Sequence, residues 1–98
     1  MLYELRTYSL VPGGVREYLR IYNELGREVQ VEILGNLVSL MQPESGDQNQ
    51  LVFLWAFENF EERKSRRKQL LENPRFTEFR KASRHLLTHQ ENRLFSTV

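Results

Sequence analysis

Leu51-Val52-Phe53-Leu54-Trp55-Ala56-Phe57 is the longest nearly uninterrupted apolar run in the chain, and its reading decides the fold. It falls far short of the roughly 20 apolar residues that a membrane-spanning helix requires. A short apolar run rich in aromatic and branched side chains, bounded by polar residues, reads as a β-strand. In a strand, Leu51, Phe53, Trp55 and Phe57 point to one side and Val52, Leu54 and Ala56 to the other. Both sides are then apolar, the pattern of a strand buried on both faces.

Outward from this strand, Leu37 to Met41 reads as a hairpin partner across the Pro43-Glu44-Ser45-Gly46-Asp47 turn. Residues 2–9 form a further strand, in which Tyr3, Leu5 and Thr7 alternate with Glu4, Arg6 and Tyr8. After the Pro12-Gly13-Gly14 break, Val15, Tyr18, Leu19, Tyr22, Leu25 and Val29 recur at helical spacing. Gly26 costs that helix about 1 kcal/mol relative to Ala, so it marks either a close packing contact or an early end. Asn59 followed by Glu62 is a capping-box spacing for a helix over Phe60 to Leu71, and Asn73-Pro74 restarts one. Phe76, Phe79, Ser83, Leu86, Leu87 and Gln90 line one face of that last helix, and a short strand follows over roughly Arg93 to Val98.

Strand, helix, strand, strand, helix, strand is the split βαβ, ferredoxin-like order: an α+β fold with a four-stranded antiparallel sheet. Each half needs a right-handed crossover, which puts both helices on the same face of the sheet. The other face needs cover, and a second copy of the chain is the economical source. The expected assembly is a homodimer through the sheet face, a dimeric α+β barrel.

The 98 residues form one domain spanning 1–98, with no linker or internal repeat. A domain this small buries only about two-thirds of the surface its unfolded chain exposes. Zero cysteines remove disulfides and thiolate chemistry and fit a cytoplasmic location. The 14 basic residues nearly balance 13 acidic ones, so nothing in the net charge draws the chain to nucleic acid or to a membrane. A charged first strand also rules out a secretion signal there.

Glu4, Arg6 and Tyr8 share one face of the first strand. An unpaired buried charge costs several kcal/mol, so the trio forms either an anion- or carbonyl-binding cluster or a salt bridge of Arg6 with Glu4 or Glu44. Trp55, with Phe53 and Phe57, either floors a pocket or packs a core or dimer interface. Arg63-Lys64-Ser65-Arg66-Arg67-Lys68 is either a phosphate-contacting patch or a solvated helix face, with Arg63, Arg67 and Leu70–Leu71 nearer one side. His85 and His89 stand at i, i+4, a spacing that suits a two-histidine metal site on a helix but equally suits exposed helix-end histidines. No metal site, nucleophile elbow or Gly-rich phosphate loop follows from the sequence, and no cofactor is expected.

Tyr3-Glu4-Leu5-Arg6-Thr7-Tyr8, Pro12-Gly13, Leu34-Gly35, Glu44-x-Gly46-x-x-Asn49, Leu54-Trp55, Arg63 with Arg66-Arg67, and Asn73-Pro74-Arg75-Phe76 together resemble the NIPSNAP family of the dimeric α+β barrel superfamily. Ser39, Phe53, Phe57, Asn73 and Phe76 depart from the family's usual residues, and the Phe53 and Phe57 changes remove polar groups near the expected pocket. The resemblance implies a ferredoxin-like homodimer of undefined activity, among barrels that include cofactor-free monooxygenases and small-ligand binders. The expected function is binding of a small aromatic or anionic organic molecule between sheet and helices. Glu4, Arg6, Tyr8, Tyr22, Trp55 and Arg63 are the candidate binding residues: Arg6 and Tyr8 hold the polar end and Trp55 the body. The alternatives are a cofactor-independent monooxygenase or isomerase, and a non-catalytic module that presents the basic helix over 60–72 to a partner.

Overall fold

In a computed structural model describing residues 1–98, the chain runs β1 (Leu2–Leu10), α1 (Val15–Ile21), a π-helical turn (Tyr22–Gly26), α2 (Arg27–Leu34), β2 (Asn36–Met41), β3 (Gln50–Phe57), α3 (Phe60–Glu72), α4 (Pro74–Ser83), a 3-10 turn (Arg84–Leu86) and β4 (Leu87–Ser96). The four strands form one sheet in the order β2-β3-β1-β4, with every neighbouring pair antiparallel. The fold is therefore the ferredoxin-like α+β arrangement, with the helices on one face of the sheet. No helix is long and apolar enough to cross a membrane.

Leu51, Phe53, Trp55 and Phe57 of β3 lie at no more than 1% exposure beneath the helices. The register places Leu2, Glu4, Arg6 and Tyr8 of β1 beside them, and Tyr3, Leu5 and Thr7 on the opposite face with Val52, Leu54 and Ala56. In β2 an extra residue, Val38, interrupts the pairing between Leu37 and Ser39. This bulge lets Leu37 and Leu40, three apart, both face the helices where strict alternation would oppose them.

The helical stretch over 15–34 does not end at Gly26. A Cβ at that position would stand 2.7 Å from Phe79 Cγ, so Gly26 is the close contact through which this stretch meets α4. It stops at Gly35, whose φ of 94° is open to glycine. Asn59 caps α3 as its spacing predicts, its Oδ1 accepting from the Glu62 amide at 2.9 Å, but the Glu62 carboxylate accepts from the Glu58 amide at 2.8 Å, one residue before the capping-box position. Asn49 ties two turns together, accepting from Gly13 N at 3.0 Å through its side chain and from Leu10 N at 2.8 Å through its carbonyl.

The C-terminal third differs from the sequence reading. Helix α4 ends at Ser83, and β4 begins at Leu87, so the last strand spans ten residues and is not a short one from Arg93. Leu87 and Gln90 leave the helix because pairing with β1 satisfies their backbone, starting where Val11 N donates to Leu86 O at 2.8 Å. His85 consequently lies in the 3-10 turn and His89 in the strand, and the shared helical face that their spacing suggested does not exist.

Candidate functional site

The alternation of β1 carries two charges and a phenol under the helices, and each has at least one partner there. Arg6 Nη1 donates to Glu4 Oε2 at 2.9 Å, Arg6 Nε donates to the Tyr8 hydroxyl oxygen at 2.9 Å, and Arg63 Nη2 reaches across from α3 to the same Glu4 oxygen at 2.8 Å. Asn92, opposite Arg6 on β4, accepts from Arg6 Nη1 at 2.8 Å when its amide oxygen faces the guanidinium. Burial alone would raise the Glu4 pKa, but the hydrogen bond from Arg63 and the charges of Arg6 and Arg63 outweigh it and hold the carboxyl below its usual range. Burial would likewise weaken the Arg6 cation, and its contacts with Tyr8 and Glu4 reverse that. Of the two salt-bridge partners open to Arg6, Glu4 is the one used; Glu44 lies in the exposed turn.

Beside this cluster is a cavity of about 300 Å³ between the sheet and α3, α4 and the π-helical turn. Its walls are the rings of Tyr8, Tyr18, Tyr22, Phe53, Phe76 and Phe79, packed at centroid distances of 5.2 to 6.2 Å. The π-helical turn positions Tyr22 so that its hydroxyl donates to Gln30 Oε1 at 2.6 Å, on the cavity wall. Burial pushes the Tyr18 and Tyr22 phenols above their usual range, which keeps them protonated and makes them poor acids. Ser83 Oγ donates to the Phe79 carbonyl at 3.0 Å.

The candidate residues fall into two groups. Arg6, Tyr8 and Tyr22 line the cavity. Glu4, Arg63 and Trp55 do not. Trp55 is fully buried, its ring parallel to Phe53 at 6.4 Å, and its indole nitrogen and the second Glu4 oxygen have no partner although the two residues face each other across β3 and β1. Arg80, Arg84 and Gln30 also line the cavity and were not singled out from the sequence; Arg67, read there as part of the basic run, lines it as well. The basic run on α3 is dispersed by the fold: Arg63 binds Glu4, Arg66 donates to Glu62 at 2.8 Å and to the Ile33 carbonyl at 3.0 Å, and Arg67 turns to the cavity. Lys64 and Lys68 are the cations of this run left exposed.

The NIPSNAP family profile matches residues 3–98. Protein Atu4242 of Agrobacterium tumefaciens, a NIPSNAP family protein with unknown function, is 36% identical, with a TM-score of 0.96 over 100% of this chain and 94% of that one. An uncharacterized NIPSNAP-like domain protein from Burkholderia xenovorans is 32% identical, with a TM-score of 0.94 over 99% of this chain and 84% of that one. A putative antibiotic biosynthesis monooxygenase from Nitrosomonas europaea shares the fold at a TM-score of 0.74, covering 100% and 99% of the two chains, but only 10% of its residues are identical. No functionally curated protein matches the chain. Since both the profile match and the relatives above 30% identity extend over nearly its whole length, the chain belongs to the NIPSNAP family.

Proposed function

We propose that this protein is a cytoplasmic homodimer in which each chain holds one small organic molecule in the cavity between the sheet and the helices. The observation that carries the reading is the six-ring aromatic wall around a volume of about 300 Å³, at the lower end of small-molecule sites. In this reading Arg6 and Tyr8 offer a hydrogen-bonding edge to the ligand, and Trp55 acts behind the wall by holding Phe53 in place. The cysteine-free composition fits a reducing compartment. Titration of labelled protein with indole, followed by amide NMR, should shift the resonances of Tyr18, Phe79 and Ser83 together. If saturating indole leaves them unmoved, the reading fails.

The dimer is supported by the uncovered sheet face, where Tyr3, Leu5, Val52, Leu54, Met41 and Phe95 share one side by register. A mainly apolar face of this kind, charged only along β4 at Arg93 and Glu91, calls for a partner on a small domain, and a face matched to itself is what a two-fold dimer uses. Sedimentation at micromolar concentration should give twice the chain mass, and Leu54→Glu should give the monomer. A wild-type monomer would overturn this part of the proposal.

A further inference from the structure

The cavity wall has fifteen residues, among them Arg6, Arg67, Arg80 and Arg84, and not one aspartate or glutamate. Arg6 is paired with Glu4, a carboxylate that it shares with Arg63. Arg80 and Arg84 are exposed at the rim. Arg67 is half-buried and makes no ion pair or hydrogen bond to the rest of the protein; burial and the charges of Arg6 and Arg63 weaken its cation, and the Glu4 charge offsets them only in part. A half-buried guanidinium without a counter-ion of its own is unfavourable for the empty fold, and an anion would relieve it.

The other polar groups on the wall are also unmatched in one direction. The Tyr8 oxygen accepts from Arg6, which leaves the Tyr8 O–H hydrogen free to donate. Gln30 accepts from Tyr22 through its amide oxygen, and its amide nitrogen donates to nothing in the protein. Donors therefore converge on a space otherwise walled by rings.

Resting on the small-molecule reading above, we propose that the ligand is a monocarboxylate with an apolar, ring-sized body, and that Arg67 is the residue that holds its carboxylate. Tyr8 and Gln30 donate to whatever oxygen lies deeper, and the body packs among Tyr18, Tyr22 and Phe79. A single planar fork inside the wall suits one carboxylate. A phosphate dianion would need a second cation at the same depth, and the remaining unpaired arginines lie at the rim.

The test compares 4-phenylbutyrate with its uncharged isostere 4-phenylbutyramide by calorimetry and amide NMR, on wild type, Arg67→Gln and Arg67→Lys. Wild type should bind the acid at least about tenfold more tightly than the amide, since only the acid brings a negative charge to the Arg67 guanidinium. Arg67→Gln should abolish that preference by weakening the acid far more than the amide, and the amide binding that remains reports an intact cavity. Arg67→Lys should keep part of it, a point charge without the fork. If acid and amide bind wild type alike, or if Arg67→Gln still prefers the acid, Arg67 is not the anion site and the proposal is overturned while the small-molecule reading stands. If neither probe binds wild type, both fall.

Discussion

Arg63 and Arg67 stand one helical turn apart on α3 and face the same covered layer, yet they meet different surroundings. Arg63 ends on the Glu4 carboxylate at 2.8 Å, whereas Arg67 ends on the cavity with no carboxylate at ion-pair distance. The layer between sheet and helices is thus divided. At the Glu4 end, charges are closed on one another and contribute to the fold; at the Arg67 end, a charge and several donors are left open toward an aromatic space. The residue type is the same in both places, and the counter-ion decides what it does.

The largest effect expected from disturbing this division is at Glu4. Glu4→Gln leaves the buried Arg6 and the half-buried Arg63 side by side without their shared anion, which should destabilise the fold by about 3 to 5 kcal/mol in urea denaturation. A loss below about 1 kcal/mol would mean that the cluster is solvated and the division unreal. The pH dependence carries the same information. Because the Glu4 pKa is lowered in the folded state, its contribution is complete above the usual carboxylate value and is lost as pH falls through the lower, folded one. Wild type should therefore lose stability on acidification below that usual value more steeply than Glu4→Gln, and parallel acid limbs would contradict the lowered value.

Much of the closed end was legible in the sequence. Period-two alternation put Glu4, Arg6 and Tyr8 on one face of β1, and electrostatics required partners for them; Glu4 itself was among the partners considered for Arg6. The open end was less legible. Arg67 reads as one cation in a run of five, although its place on the Leu70–Leu71 side of the helix hinted at an inward orientation. What separates it from Arg63 is a carboxylate 59 residues away in the chain, and no local pattern carries that. The limit of α4 was hidden for a similar reason: Ser83, Leu86, Leu87 and Gln90 continue the helical spacing of Phe76 and Phe79 with no Gly or Pro to stop it, and pairing with β1 overrides the spacing. The π-helical turn has no propensity signature, and only Gly26 marked the place where the helix meets Phe79.

The finest comparison is between the two arginines themselves. Arg63→Met removes one of the two cations on Glu4 and should cost about 1.5 to 3 kcal/mol, the scale of a charge-assisted hydrogen bond lost beside a buried carboxylate. Arg67→Met removes a half-buried cation that has no partner and puts an apolar side chain of similar length against Leu71 and Phe76, so the ligand-free fold should be unchanged or slightly more stable. Thermal unfolding of the two variants without ligand checks this directly. Equal destabilisation would mean that Arg67 has a structural partner after all, and would remove the reason to regard its free charge as held for a ligand. A gain in stability at Arg67, set against a loss at Arg63, is the pattern of a fold that keeps one cation for itself and holds the other open for something it binds.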